Sequence, residues 1–508
     1  MLLVSLASNV HDSSVAIANE HEVLAVLEAE RFTRKKKQWS NRAGFEALLQ
    51  LALDETGYTF DQVTHWSGSA MGNVLLSHEQ RRCDWTTETT IRLFGTDVPF
   101  LAVNHHLAHA ASFFASPYDS AVVDACDGGG DGRQHVAYHA QRWQGGARIR
   151  ELSDVDTGAF TGVFYDVCSF YLYDRYCQEG KFMGLAPYGE PDDAAIAWLS
   201  ARVDRFSTQP HEVSYAELHE RFGIDRFDVD DPRCANLAKN VQTVFEAERV
   251  KQLAAVGDLD GNIVLSGGSA LNIHANTAIR ERFPDSSVYV APCCDDTGQA
   301  IGALLYQANV LLGVNPKVPL PFIGLGSRRP EPEVTDAQAE RVVADLLDNR
   351  VVAWHWGRAE IGPRALGHRS LLCAPFTDAH RQLVSEKVKR REAYRPVAPV
   401  LLTDRRGEWF GGGWESPYML FADQATPTTV HKAAAVVHVD GSARIQTIDD
   451  DHVLGKILRL LDQATGVPML INTSLNGPGE PIVQTHEQTL AFCAGQPDVV
   501  PYLEGERR

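Results

Sequence analysis

The stretch SAVVDACDGGGDGRQHVAYHA, residues 120–140, decides the fold predicted for this chain. An apolar run enters an acidic, glycine-rich turn, and a second apolar run leaves it, which predicts strand, turn and strand. The segment LLVSLASNVHDSSVAIANEHEVLAVLEAE, residues 2–30, has the same order and adds a third strand after Asn19-Glu20. Because the two segments lie about a hundred residues apart, the sequence predicts an internal duplication with two related lobes around a cleft.

A third segment, NIVLSGGSALNIHANTAIRERF at residues 262–283, predicts a strand, a turn at Gly267-Gly268 and a helix. Glycines let backbone N–H groups converge on a phosphate, and a helix N-terminus adds partial positive charge. Ordinary turns between secondary-structure elements would also use glycine. The two matched hairpins together with this turn favour a nucleotide cleft of the actin or hexokinase type.

The segment VNHHLAHAASFF, residues 103–114, places His105 and His109 on one face of a predicted helix. This spacing suits one metal ion bound by two imidazoles, although one ring could pack while the other faces solvent. Carboxylates that would complete a site follow predicted strands or turns: Asp127, Asp295 and Asp296. Two histidines with carboxylates suit Fe(II), Mn(II) or Zn(II) better than Ca(II) or Mg(II).

Length and composition indicate a multidomain globular protein. A chain of 508 residues predicts two to four domains. A Pro- and Gly-rich segment at 314–334 precedes a new helical pattern, so we expect one module at 1–330 and another at 331–508.

Charge and cysteine content narrow the function classes. The net charge of -19 opposes nonspecific binding to nucleic acid or to an anionic membrane. Nine cysteines without a C-x-x-C pair predict reduced thiols and a cytoplasmic location. No apolar run approaches the ~18 residues of a membrane span, and the N-terminal MLLVSLAS predicts a strand, not a signal peptide.

Sequence blocks along nearly the whole chain resemble those of the O-carbamoyltransferase family, which includes tobramycin, cephem and nodulation carbamoyltransferases. The blocks, in family order, are HDSSVAI (11–17), ERFTRKK (30–36), HHLAHA (105–110), GKFMGLAPYG (180–189), SGGSALN (266–272), GRAEIGPRALGHRS (357–370), VKRREAYRPVAPV (388–400), HVDGSARIQT (438–447) and INTSLNGPGEPIV (471–483).

The resemblance implies an α/β protein with two catalytic modules. The first is expected to be two-lobed, actin-like (ASKHA) and similar to the Kae1 fold, and the second to be similar to the YrdC fold. By resemblance, carbamoyl phosphate is cleaved in the second module. The carbamate then reacts with ATP to form carbamoyl adenylate, which donates its carbamoyl group to a hydroxyl in the first module.

The resemblance also implies roles for residues of the first module. The metal ligands would be His105, His109, Asp127 and Asp296, with Fe(II) the family's metal; Asp131 competes with Asp127, and Asp295 with Asp296. The nucleotide would contact Lys36, Gly129, Gly267, Gly268 and Asn272, with Lys35 and Lys37 as alternatives to Lys36. His11 would act as general base on the acceptor hydroxyl, and Asp12 would orient it, unless His11 only anchors its turn.

In the second module, the resemblance implies a pocket for the carbamoyl phosphate dianion. Its residues would be Arg364, Lys389, Arg444 and Asn472, with Arg364 and Lys389 also catalytic; the alternatives are Arg369, Arg391, Arg395 and Asn476. Arginine suits a bidentate grip on phosphate, and lysine supplies a point charge. A surface salt bridge is the competing explanation for any one of these arginines.

Other functions remain open from the sequence. An actin-like small-molecule kinase would use the same nucleotide turns but has no need of the second module. A nucleotide-gated binding protein would not need the histidines. Carbamoylation of tRNA or of a protein is disfavoured by the net charge and by the absence of C-x-x-C pairs. We expect a hydroxylated small molecule as acceptor and no nucleic-acid or membrane partner. A homodimer is an open alternative to a monomer.

Overall fold

Two sheets in the first two thirds of the chain repeat one arrangement of strands. The computed structural model describes residues 1–8, 11–152, 160–257, 261–326 and 333–508. The strands of the first sheet are β1 (Leu2–Ser8), β2 (Ser13–Asn19), β3 (Val23–Glu28), β4 (His65–Ser69), β5 (Thr86–Leu93) and β6 (Thr96–Val103). Those of the second sheet are β7 (Ser120–Gly130), β8 (Arg133–Trp143), β9 (Gly146–Glu151), β10 (Asn262–Ser266) and β11 (Ser287–Val290).

Strand order confirms the predicted duplication. The sheets run β3-β2-β1-β4-β6-β5 and β11-β10-β7-β8-β9. In the first sheet, β1, β2 and β3 pair antiparallel, and β4 and then β6 extend the sheet in parallel from β1. In the second sheet, β7, β8 and β9 pair antiparallel, and β10 and then β11 extend the sheet in parallel from β7. This doubled unit, with helices between and around its sheets, is the actin-like fold that we expected.

Helices of the first module fill the space between and beside these sheets. They are α1 (Ala29–Thr33), α2 (Arg42–Thr56), α3 (His105–Ala110), α4 (Thr161–Tyr173), α5 (Glu179–Leu185), α6 (Asp193–Ser200), α7 (Val203–Thr208), α8 (His211–Phe222), α9 (Pro232–Ala254), α10 (Ile273–Arg282) and α11 (Gln299–Tyr306). Every residue of α3 and α11 is buried, and one apolar core joins both helices to both sheets. The histidine segment is therefore packed between the lobes.

The last third of the chain forms a separate mixed α/β layer. Its strands are β12 (Val351–His355), β13 (Arg369–Cys373), β14 (Ala398–Leu402), β15 (Ala422–Gln424), β16 (Ser442–Arg444), β17 (Gln446–Ile448), β18 (Met469–Ser474), β19 (Val499–Leu503) and β20 (Glu506–Arg507). Its helices are α12 (Asp336–Leu347), α13 (Asp378–Arg381), α14 (Arg406–Trp409), α15 (Pro427–Lys432), α16 (Gly455–Thr465) and α17 (His486–Cys493). Seven strands form one sheet in the order β17-β14-β18-β13-β12-β19-β20, and apolar cores cover both of its faces.

The proposed module boundary near residue 330 lies outside the described residues, so it stays a prediction. The helical pattern predicted just beyond it is present as α12, and β12 follows. Among the described helices, none combines the length and apolar character needed to cross a bilayer.

Candidate active site

Four predicted ligand side chains converge where α3 meets the second sheet. Asp127 Oδ2 lies 3.0 Å from the Nε2 atoms of both His105 and His109. Asp296 Oδ1 lies 3.2 Å from His109 Nε2 and 3.6 Å from His105 Nε2. The donor atoms of all four residues lie within 4.8 Å of one another, so a single ion could contact every one of them.

The β7–β8 hairpin explains how Asp127 reaches this point. The strand register breaks between Cys126 and Gly130, and such a bulge redirects the side chains of the extra residues. Gly130 has no room for a side chain, since a Cβ there would lie 2.1 Å from the His105 ring. Asp127 Oδ1 accepts hydrogen bonds from the backbone of Gly128 (2.7 Å) and Gly268 (3.1 Å), which leaves Oδ2 facing the histidines.

The two alternative carboxylates have other partners. Asp131 accepts a 2.7 Å hydrogen bond from the His105 backbone N–H, so it holds the first turn of α3. Asp295 accepts hydrogen bonds from the backbone and hydroxyl of Thr297. This geometry favours Asp127 and Asp296 over their neighbours.

The electrostatics of the cluster suit a cation. Burial alone would lower the pKa of His109, but the adjacent carboxylates of Asp127 and Asp296 raise it to about 9. Burial would raise the pKa of Asp127, and the two histidines hold it well below its usual range. Asp296 Oδ1 is buried without a hydrogen bond from any described residue. Two carboxylates facing two imidazoles, one with an unsatisfied oxygen, fit a divalent transition-metal ion.

His11 lies beside this cluster. Its Nδ1 is 2.7 Å from Asp12 Oδ2, and its Nε2 is 3.7 Å from Asp296 Oδ2. The imidazole is 45% exposed, so a small molecule in the cleft could reach it. Asp12 therefore orients the ring, as we expected.

Among the three adjacent lysines, Lys37 makes the ion pair: its Nζ lies 3.0 Å from Asp12 Oδ2. A short helix, α1, separates these lysines from β3. Lys36 is exposed at the rim of the cleft. Desolvation by surrounding protein lowers the pKa of Lys36, and the positive charges of Arg364 and Arg395 add to this effect.

The glycine turn of the predicted nucleotide site is already hydrogen-bonded. Gly267 N–H donates to the Cys294 carbonyl at 2.8 Å, and Gly268 N–H donates to Asp127. The α-helix begins later than expected, at Ile273, and the Asn272 side chain caps it while also pairing with Gln242. These groups orient Asp127 and α10 in this structure.

The remaining predicted glycine, Gly129, lies within the bulge of the β7–β8 hairpin. Its φ of +148° favours glycine. A Cβ at this position would meet nothing closer than 3.7 Å, so the backbone conformation, not the available space, explains the residue.

A cluster of arginines forms the second half of the site. Its members are Arg364, Arg391, Arg395 and Arg444, each half-buried. Among the described residues, Arg364 and Arg444 have no hydrogen-bond or ion-pair partner, and the Nε atom of each is buried and unsatisfied. Burial and then the neighbouring guanidinium groups lower the pKa of Arg444 well below its usual range and that of Arg391 to about 9. Such mutual repulsion creates a strong preference for an anion.

Lys389 and Asn472 hold the backbone segments that neighbour this cluster. Lys389 Nζ donates to the Asn476 carbonyl at 2.9 Å and to the Ser474 hydroxyl at 3.2 Å, which fixes the turn after β18. Asn472 Nδ2 donates to Gln446 at 2.8 Å and to the Ala365 carbonyl at 3.2 Å, beside Arg364.

Two alternatives to the predicted pocket residues are engaged elsewhere. Arg369 donates to the carbonyl oxygens of Trp356 and Gly357. Asn476 accepts from Lys389 and donates to the Glu480 carbonyl. The geometry gives both residues a role in holding loops.

A cavity of about 280 Å³ lies where Tyr188 of the first module faces the second module, and one member of the arginine cluster, Arg395, is among the described residues that line it. Tyr188 lines one side, Arg395 and Tyr394 line another, and His438 completes the wall. His438 is held in place because its Nε2 lies 3.1 Å from the Gly184 carbonyl.

Contacts that sequence reasoning missed join the two halves of the site. Glu28 and Arg31 form a buried ion pair at 2.8 Å. Glu28 accepts from Gly362 N–H at 2.6 Å, and Arg31 donates to the Gly362 carbonyl at 2.9 Å. Gly362 begins the turn that carries Arg364, so the first module positions this arginine. Arg31 belongs to the ERFTRKK block, whereas Glu28 precedes it, and neither residue has a local pattern that indicates its contact with Gly362.

Comparison with known proteins identifies the family of this chain. The chain matches the models described as Carbamoyltransferase N-terminus, over residues 70–305, and Carbamoyltransferase C-terminus, over residues 343–500. It is 30% identical to 3'-hydroxymethylcephem-O-carbamoyltransferase of Amycolatopsis lactamdurans, over 97% of this chain and 96% of that protein. It is 28% identical to nodulation protein NolNO of Sinorhizobium fredii, over 94% of this chain and 75% of that protein.

Among solved structures, the activator of 2-hydroxyisocaproyl-CoA dehydratase from Clostridium difficile aligns with 61% of this chain and 94% of its own length, with 14% identity and a TM-score of 0.37. The full-length match to the cephem enzyme and the two family regions give the assignment. The chain belongs to the carbamoyltransferase family of enzymes.

Proposed function

We propose that this chain is an ATP-dependent O-carbamoyltransferase that uses carbamoyl phosphate as donor and a hydroxylated secondary metabolite as acceptor. The observation that carries the proposal is the half-buried arginine cluster, in which Arg364 and Arg444 have no partner among the described residues. Like charges at such a site destabilise the protein unless a ligand neutralises them. A small phosphate-bearing dianion has the size and charge to do so.

Cleavage of carbamoyl phosphate would begin at this cluster. Water attacks the carbamoyl group, the bond between the carbonyl carbon and the bridging oxygen breaks, and carbamate and phosphate form. Arg364 and Arg444 would stabilise the departing phosphate, because guanidinium groups grip phosphate oxygens in pairs. Lys389, which is tied to Ser474 and Asn476, would act by holding the pocket's shape.

Carbamate would then react at the first module. Its oxygen attacks the α-phosphorus of ATP, pyrophosphate leaves, and carbamoyl adenylate forms. Arg364 lies on the turn that begins at Gly362, and Glu28 and Arg31 of the first module hold that residue, so Arg364 stands where the two modules meet. Lys36, which also lies near Arg364 and Arg395, would contact the phosphates of ATP.

Transfer to the acceptor would use the cluster around α3. A metal bound by His105, His109, Asp127 and Asp296 would supply positive charge to phosphate oxygens. His11, oriented by Asp12, would take the proton from the acceptor hydroxyl as that oxygen attacks the carbamoyl carbon and AMP leaves. The cephem and nodulation relatives support a secondary metabolite as acceptor.

The test incubates purified protein with carbamoyl phosphate, ATP, Fe(II) and a panel of hydroxylated natural products under anaerobic conditions. We expect phosphate, pyrophosphate and AMP, with mass spectrometry showing one carbamoyl group added to an acceptor. ADP in place of AMP and pyrophosphate would instead identify a kinase.

Two variants separate the half-reactions. Arg364→Ala should slow phosphate release about 100-fold, as expected for loss of one charged donor. His105→Ala should spare phosphate release but abolish transfer and reduce bound metal. Arg390→Ala is the matched control for the first variant, because Arg390 is exposed beside the cluster. Wild-type phosphate release in Arg364→Ala would reject the assigned pocket.

A further inference from the structure

A second group of metal-binding side chains lies in the C-terminal module, on elements that the reaction does not use. We propose that His355, His486 and Glu504 bind a zinc ion. One donor atom from each residue lies within 4.8 Å of the others. His486 Nε2 is 3.3 Å from Glu504 Oε1, and the two imidazole rings are 4.4 Å apart at 70°.

The three residues come from three separate elements. His355 ends β12, His486 is the first residue of α17, and Glu504 lies in the turn between β19 and β20. A bound ion would therefore connect a central strand, a helix start and the C-terminal turn of the chain.

Hydrogen bonds prepare the His355 ring as a ligand. Thr489 Oγ1 donates to the Thr485 carbonyl at 3.3 Å, so this hydroxyl receives the proton of His355 Nδ1 across 2.8 Å. The lone pair of the neutral ring is then on Nε2. A hydrogen bond from the second ring nitrogen is the usual support of a histidine that binds metal.

Backbone hydrogen bonds hold the second proposed ligand, Glu504. Its Oε2 accepts from Gly357 N–H at 3.2 Å, while its backbone N–H donates to the His355 carbonyl at 2.9 Å. These two contacts direct Oε1 toward His486. The carboxylate is thus oriented by backbone groups that do not depend on a bound ion.

The three side chains are of types that zinc binds, and a hydroxyl and a backbone N–H orient two of them without a bound ion. Two imidazoles and one carboxylate would leave the fourth position for water.

The ion would act as a structural link. β12 continues into the segment that carries Arg364, and Glu504 is tied to that segment at Gly357. Since a metal that binds only the folded state adds its binding free energy to stability, zinc should raise the unfolding temperature of this module.

Metal content and thermal unfolding test the proposal. The full chain is stripped with chelator, dialysed against zinc and analysed for bound metal, as wild type, His486→Ala and the surface control His431→Ala. His486 is 44% exposed, so its replacement should not prevent folding. We expect one zinc ion fewer in His486→Ala and a zinc-dependent rise in unfolding temperature in the other two proteins. Equal zinc content in His486→Ala and His431→Ala would overturn the proposal.

The same comparison of zinc content is repeated in proteins that also carry His105→Ala, which removes metal bound at the first module. A negative result for the zinc site is then distinct from a negative result for the proposed function. In that background, Thr489→Val should weaken zinc binding about tenfold without abolishing it, because it removes only the support of His355. Unchanged affinity in Thr489→Val would contradict the orientation assigned to the ring.

Discussion

Glu28 is a single residue on which the geometry of two modules depends. It is buried, pairs with Arg31 and accepts a hydrogen bond from Gly362. Burial raises its pKa from 4.5 to about 7, although the Arg31 charge opposes that rise. Between these values, the folded protein keeps a proton that the unfolded chain has lost.

This difference predicts how stability depends on pH. The raised pKa of Glu28 contributes on the order of 3 kcal/mol to the free energy of unfolding. This contribution is fully present below pH 4.5 and is lost as the pH rises through 7. The glutamine of Glu28→Gln does not titrate. The free energy of unfolding of wild type, minus that of the variant, should therefore decrease as the pH rises from 4.5 through 7. Urea titrations at several pH values measure it, and the exposed Glu22→Gln serves as control. A difference that is constant with pH would contradict the raised pKa.

The β7–β8 hairpin shows what an element contributes to the site. Its bulge aims Asp127 at the histidines, and Gly130 lets the His105 ring approach the backbone. The hairpin therefore supplies one candidate ligand side chain, and its backbone conformation positions both that ligand and the neighbouring ring.

Two glycines in this hairpin make a matched pair. A Cβ at Gly130 would lie 2.1 Å from His105 Cδ2, whereas a Cβ at Gly128 would meet nothing within 4 Å. Gly130→Ala should displace the imidazole and weaken manganese binding at least tenfold, at a cost of about 1–3 kcal/mol in stability. Gly128→Ala should match wild type in calorimetric titration with Mn(II). Equal manganese affinity in the two variants would show that the ring accommodates the change.

Elements built from local patterns were predicted well from the sequence. The strands of both hairpins follow from apolar runs between polar or glycine turns, and α3 follows from the apolar and small residues of VNHHLAHAASFF. The α10 start was misplaced because the three residues after Gly268 form a tighter turn before Asn272 caps the helix. Propensity alone does not distinguish these two kinds of turn.

At the scale of the whole molecule, the structure groups residues that sequence spacing cannot relate. His105 and Asp296 lie almost two hundred residues apart: turn patterns only made Asp296 a candidate ligand, and the family resemblance selected it over Asp295. The choice between Lys36 and Lys37, and the recognition that Arg369 supports a loop, required partners from distant strands. Contacts such as Arg31 with Gly362 leave no local pattern, because they depend on how two modules pack.

Arg34 offers a test of that packing. Its guanidinium donates to the carbonyl oxygens of Ile482 (2.7 Å) and Pro481 (2.8 Å), and so joins α1 to the loop after β18. Arg34→Ala leaves these acceptors unpaired, at a cost of about 1–3 kcal/mol that falls on the interface and not on either core. Differential scanning calorimetry of Arg34→Ala should then resolve separate unfolding transitions for the two modules. In wild type, these transitions should be closer together or merged. Lys35→Ala, which alters an exposed neighbour, should leave the profile unchanged. If Arg34→Ala instead unfolds in a single transition at the wild-type temperature, this contact does not couple the modules, and the position of Arg364 must depend on Glu28 and Arg31 alone.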